Sequence, residues 1–188
     1  MDTEIDLTGK LLIAMPGMSD PRFAHSVVFM CAHSPEGGMG LVINKPTGEL
    51  QLSDLLEQLS ISMEAEMLNR PVYFGGPVES GRGFVLHERG YHSSISTMEV
   101  DDQFAMTATL DILEDLAQGR GPLKALIALG YAGWGPGQLE GEIAQNGWLT
   151  CDATLDLTFE TPDVHTWEAA LKSLGIDALA LSADAGHA

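Results

Sequence analysis

Apolar positions along the chain change period several times, and each change marks an element. Three early runs, Leu11–Met15, Ser26–His33 and Met39–Asn44, are dense in apolar residues and are predicted strands. Turn residues close each one: Met15-Pro16-Gly17, Pro35-Glu36-Gly37-Gly38 and Lys45-Pro46-Thr47-Gly48. Leu52, Leu55, Leu56 and Leu59 then recur at helical spacing, with Ser53 as the expected N-cap. Val72–Phe74 runs into the turn Gly75-Gly76-Pro77, and Phe84–Glu88, Ile95–Val100 and Phe104–Thr107 are further predicted strands. A second helical stripe comprises Ile112, Leu113, Leu116 and Ala117, with Thr109 as its cap and Gly119 just past its end.

The continuous apolar run Leu123–Leu129 predicts a strand buried on both faces. A glycine-rich segment follows, then a short helix from about Gln138 to Gln145. Ala153–Phe159 alternates, which predicts a strand with Ala153, Leu155, Leu157 and Phe159 inward. A last helix, Asp163–Leu174, is expected to pack Val164, Trp167, Leu171 and Leu174 and to stop at Gly175. Strands in groups with helices between them predict an α+β fold with a mixed or antiparallel sheet. No linker, repeat or low-complexity block divides the 188 residues, so one domain spanning 1–188 is expected.

Charge narrows the function classes. Nine Lys+Arg against 27 Asp+Glu give a formal charge of -18 and a pI near 4.4. Affinity for nucleic acid comes mainly from neutralising phosphates with Lys and Arg. The nine cations here are scattered from Lys10 to Lys172, so direct nucleic-acid binding and docking on an anionic membrane are disfavoured. Asp2, Glu4 and Asp6 stand where a signal peptide carries positive charge, and no apolar run is long enough to span a bilayer. A cytoplasmic protein is expected, in which Cys31 and Cys151 stay reduced.

Three segments are distinctive: MPGMSDPRFAHSVVFMCAHSPEGGMGLVINKP at 15–46, VYFGGPV at 72–78 with RGFVLH at 82–87, and ALGYAGWGPGQLEGEIAQNGWL at 128–149. Together they resemble the AlgH/YqgE family of bacterial proteins, from about Leu11 to Gly186-His187-Ala188. The resemblance implies an α+β unit whose branched sheet curls into a small barrel-like part flanked by helices. It implies little about activity and leaves open whether the protein is an enzyme. The family's label of transcriptional regulator rests on the genetics of alginate production, so an indirect route through a protein or small-molecule partner is implied.

Candidate chemistry is sparse. Gly130–Gly137 precedes a helix, but no Lys and Ser/Thr follow its last glycine as a Walker loop needs, and the spacing is not G-x-G-x-x-G. It is either a tight connection or a pocket in which Tyr131 and Trp134 present flat faces to a neutral ligand or peptide. Cys31 and His33, two apart on a predicted strand, are expected on one face. An imidazolium there would activate the thiol, with Arg22 and His25 adding positive field; alternatively Cys31 is a small core hydrophobe. His87-Glu88-Arg89-Gly90-Tyr91-His92 lacks the spacing of H-E-x-x-H, and no metal or cofactor is expected. No G-x-S-x-G elbow is present.

These readings converge on a non-enzymatic binding or regulatory module. Arg22, His25, Cys31, His33, His87, Tyr131, Trp134 and Gln138 are the residues expected to line its cleft. The alternative is an enzyme or redox sensor that uses the Cys31 thiol.

Overall fold

The computed structural model describes residues 5–18 and 20–185. Ten strands lie in one branched sheet: β1 (Lys10–Ala14), β2 (Val27–Ser34), β3 (Gly37–Val42), β4 (Pro46–Gln51), β5 (Pro71–Phe74), β6 (Val78–Glu88), β7 (Met98–Glu99), β8 (Phe104–Thr107), β9 (Ala125–Trp134) and β10 (Trp148–Asp152). Among the described residues five α-helices pack around it: α1 (Leu52–Gln58), α2 (Asp111–Ala117), α3 (Gln138–Ala144), α4 (Asp163–Ser173) and α5 (Ala178–Ala185). The main path runs β10-β1-β2-β3-β9-β6-β8-β7, antiparallel throughout, and curls into a half-barrel. The fold is α+β with a mixed sheet, because β5 joins β9 in parallel.

The branch sits on β9. Its C-terminal part, Ala132–Trp134, pairs with β3, while Ile127–Leu129 pairs with β5, which in turn carries β4. Two backbones cross at the branch with almost no clearance. A Cβ on Gly76 would lie 2.0 Å from the carbonyl carbon of Tyr131, and one on Gly130 would lie 2.3 Å from the Gly76 oxygen. Gly130 also has φ +76°, a conformation that L side chains resist.

Alternation along the strands builds the core on both faces. Leu11, Ile13, Val27, Phe29, Leu41, Phe84, Leu86, Phe104 and Leu126 fill the concave side, closed by Trp167, Ala170 and Leu171 of α4. Leu12, Ala14, Val28, Met30, Val42, Ala132, Trp134 and Trp148 face the other way at one end, where Leu139 of α3 covers them. At the other end Val72, Val85 and Ile127 pack under α1 and α2.

Several elements differ from expectation for identifiable reasons. Residues 153–159 are not a strand: Thr154 accepts the Leu157 N–H on its hydroxyl and the Thr158 N–H on its carbonyl, winding Asp156–Glu160 into one wide π turn. Ala153, Leu155, Leu157 and Phe159 still pack against the concave core. The strand that precedes this segment is β10, which pairs with β1. Pro46–Gln51, expected in part as a turn, forms β4. The expected strand Ile95–Val100 shrinks to β7, because the Ser93, Ser94 and Thr97 side chains bond to Asp111, the Ser93 amide and Thr107. Ser53 is inside α1 rather than its N-cap, which is Gln51; the Ser53 N–H goes to Asn69 Oδ1 at 3.0 Å. Leu110, not Thr109, caps α2. Val164 (81% exposed), Leu174, Leu59 and Leu123 point to solvent. Gly119 and Gly175 do end their helices with φ +73° and +76°.

Candidate functional site

One recess of about 450 Å³ lies between the β1–β2 connection, the end of β9 and α3. Its organising group is Glu142. Helical spacing puts Gln138 and Glu142 one turn apart on α3. Glu142 Oε1 accepts both indole N–H groups, Trp134 at 3.1 Å and Trp148 at 2.9 Å, and Oε2 accepts the Gln138 amide at 3.0 Å. Gln138 Oε1 in turn accepts the Gly135 N–H at 2.9 Å, which fixes the entry to the helix. Both tryptophans are buried, at 7% and 2% exposure, so their only polar atoms need this acceptor.

The opposite wall is aromatic and self-neutralised. Phe23 meets Trp148 edge-on at 5.9 Å, and Trp148 meets Trp134 at 6.1 Å and 78°. Asp20 Oδ1 accepts the Arg22 amide and Nε, and Oδ2 accepts the guanidinium terminus at 2.8 Å. Those bonds hold the Asp20 carboxyl below the usual carboxylate range and the Arg22 guanidinium above its own. The guanidinium lies 5.8 Å from the Phe23 ring centre. Lys45 Nζ donates to the Arg22 carbonyl at 3.1 Å and secures the short 3-10 turn Pro21–Phe23. Burial pushes the Lys45 ammonium down.

Of the eight expected cleft residues, Arg22, Trp134 and Gln138 line this recess. The other five lie elsewhere. Tyr131 packs edge-on against Phe84 at 5.6 Å. His25, held at φ 57°, lies over Trp167 with ring centres 4.5 Å apart. His87 is fully buried; Thr107 donates to its Nε2 at 2.8 Å, and its Nδ1–H donates to the Glu88 carbonyl at 2.8 Å. Burial pushes its imidazole down, toward the neutral form.

Cys31 and His33 do not share a face. A bulge between Met30 and Ala32 inserts one residue into β2 and reverses the alternation. Cys31 follows Val27 and Phe29 into the concave core, while His33, beyond the bulge, turns toward Leu7 and α3. The Leu7 N–H donates to His33 Nδ1 at 3.0 Å, which leaves the proton on Nε2 to bond Glu140 Oε1 at 3.0 Å. That bond lowers the Glu140 carboxyl. Burial pushes the Cys31 thiol up to about 12, so nothing in its surroundings favours a thiolate.

Glu142, Trp148, Phe23 and Asp20 also line the recess, and the sequence reading did not single them out as cleft residues. The usable signal was the pairing of two tryptophans with a Gln-x-x-x-Glu helix. Among the described residues no group of three or more His, Cys, Asp or Glu is placed to hold a metal ion, and no helix is long and apolar enough to cross a membrane.

Comparison with known proteins gives a consistent picture. The AlgH-like family model matches residues 11–179; Gly186–Ala188, where the resemblance was expected to end, lie outside the described residues. A UPF0301 protein of Ruegeria pomeroyi is 60% identical over 185 residues, covering 98% of this chain and 100% of that one. One from Paracoccus denitrificans is 58% identical and covered in full. The solution structure of the AlgH protein from Pseudomonas aeruginosa superposes with a TM-score of 0.79 at 44% identity, over 100% of this chain and 99% of that one. A crystal structure of a Corynebacterium diphtheriae protein shares the fold, with a TM-score of 0.70 at 19% identity over 92% of this chain and 90% of its own.

Proposed function

The chain belongs to the AlgH-like family, and from that membership and the tryptophan-walled recess we propose that it is a cytoplasmic binding module, meeting a protein segment or small molecule at that recess. The observation that carries this is the Glu142 clamp: one carboxylate holds two indoles and a glutamine, so the recess exists before any ligand arrives. Preorganisation removes much of the ordering cost of binding. The lining offers aromatic edges, Met18 and Val78 as apolar surface, and Arg22 and Gln138 at the rim. Its two carboxylates are already engaged, which suits recognition better than proton transfer. The described lining residues include no Ser, Thr, Cys, His or Lys to act as nucleophile.

Any regulatory effect on transcription then runs through the bound partner and not through DNA. Scattered cations support this, six of them paired with acids: Lys10, Arg22, Arg82, Arg89, Arg120 and Lys124. Two free, buried cysteines fit a reducing compartment.

The test combines affinity capture from native lysate with a thermal-shift screen of metabolites, repeated on Phe23→Ala and Gln138→Ala variants checked for folding by circular dichroism. A genuine occupant moves the Trp134 and Trp148 indole N–H resonances and is lost from the variants. Ligands or partners retained equally by both variants would place recognition elsewhere on the molecule.

A further inference from the structure

A second, smaller recess of about 170 Å³ lies on the other side of the sheet, between the starts of β5 and β9, the π turn and the N-terminus of α4. It is unusual in what it leaves unsatisfied. The terminal guanidinium nitrogens of Arg70 donate to the carbonyls of Ala125 at 2.9 Å and Leu123 at 2.7 Å, which ties β5 to β9, but its Nε–H is buried without an acceptor. Thr158 is only 5% exposed, and its hydroxyl also has no partner. Buried polar groups are nearly always hydrogen-bonded, and one left unpaired costs roughly 1–3 kcal/mol. Two such donors beside one recess therefore point to a missing acceptor.

Charge sharpens the requirement. Arg70 and Asp163 are the charged residues among those lining the recess, and neither has an ion-pair partner among the described residues. Asp163 accepts the Tyr73 hydroxyl at 2.8 and 3.0 Å. Burial pushes the Arg70 guanidinium down and the Asp163 carboxyl up, so both charged forms are short of solvation. α4 begins here with Pro162 as its N-cap and no side-chain cap, adding the positive end of a helix on the same side. A plain anion would satisfy the donors but meet Asp163. A plain cation would meet Arg70. A small molecule carrying both charges answers each.

We propose that this recess binds a small α-amino acid, its carboxylate accepting from Arg70 Nε and Thr158 Oγ1 and its ammonium donating to Asp163. The volume matches that of roughly six waters in the liquid, which suits alanine or serine better than an aromatic amino acid. Both unsatisfied donors then gain a charged acceptor, and both half-buried charges gain a counter-charge.

The experiment is an NMR titration of the full ¹⁵N-labelled chain with L-alanine, acetate and methylammonium in parallel. L-Alanine is expected to move the Arg70 Nε–H resonance and the Thr158 and Asp163 amides saturably. Acetate is expected to bind at least about tenfold more weakly, and methylammonium not to move Arg70. Thr158→Val removes a hydroxyl that has no partner, so the variant should fold as well as the parent yet bind alanine about tenfold more weakly. Arg70→Lys keeps the charge but loses the Nε–H, and should also weaken binding. An Arg70 Nε–H resonance unmoved by alanine, acetate binding equal to alanine, or unchanged binding by a folded Thr158→Val variant would each overturn the proposal.

Discussion

Replacing Glu142 by alanine removes the acceptor of two buried indole N–H groups at once. Trp134 and Trp148 are 7% and 2% exposed, and no other described group accepts from either nitrogen. A buried donor left unpaired costs about 1–3 kcal/mol, so two would cost about 2–6 kcal/mol. Glu142 is itself only half-buried, so water entering its place recovers part of that; about 2–4 kcal/mol is the expected loss. For a chain of this length each kcal/mol lowers the melting temperature by about 2–4 °C, giving a drop of about 4–16 °C. Glu142→Gln keeps one oxygen for the indoles but turns a second amide N–H toward Gln138, so its loss should be smaller, about 1 kcal/mol. The assay is urea unfolding with the indole N–H resonances followed in the native state. An alanine variant within about 0.5 kcal/mol of the parent, the usual span of neutral surface substitutions, with indole resonances in place would refute the clamp.

Three further outcomes are expected. His87 is buried in its neutral form, with its folded pKa below the unfolded value of about 6.5. The unfolded chain therefore takes up the proton first as pH falls. Stability should drop from about pH 6.5 downward, and a pH series of unfolding curves should show a shallower slope there for His87→Gln. Gly130→Ala adds both the clash with the Gly76 oxygen and a strained φ of +76°; a loss above about 3 kcal/mol, or no soluble protein, is expected on expression and chemical unfolding. Cys31 should resist thiol reagents at pH 8 in the folded chain and react only on unfolding, and rapid labelling of the native protein would contradict its placement.

The strand centres were legible because burial on both faces leaves dense apolar runs, as in Leu11–Met15 and Leu126–Ala128. Residues 153–159 were not, because an irregular segment leading into one wide helical turn packs the same four apolar residues against the core as a strand would. Trp134, Gln138 and Arg22 were visible as aromatic and polar residues at glycine and proline turns. Glu142 was not, since an acid near a helix start is ordinarily accounted for by the helix dipole. The separation of Cys31 from His33 depends on a bulge that no local signal marks. Arg70 and Thr158 lie 88 positions apart, and only the topology brings them to one recess.

The pairing of β1 with β10 bears on how the chain reaches its final form. Lys10 and Asp152, a hydrogen-bonded pair 142 positions apart, face each other at one end of that ladder. A ribosome making about 5–20 residues per second would therefore hold β1 without this neighbour for roughly 7–30 s of synthesis. Throughout that interval a strand whose residues 11–14 are all buried in the finished molecule has one open edge. Such an edge is a template on which another chain can pair until residues 148–152 arrive.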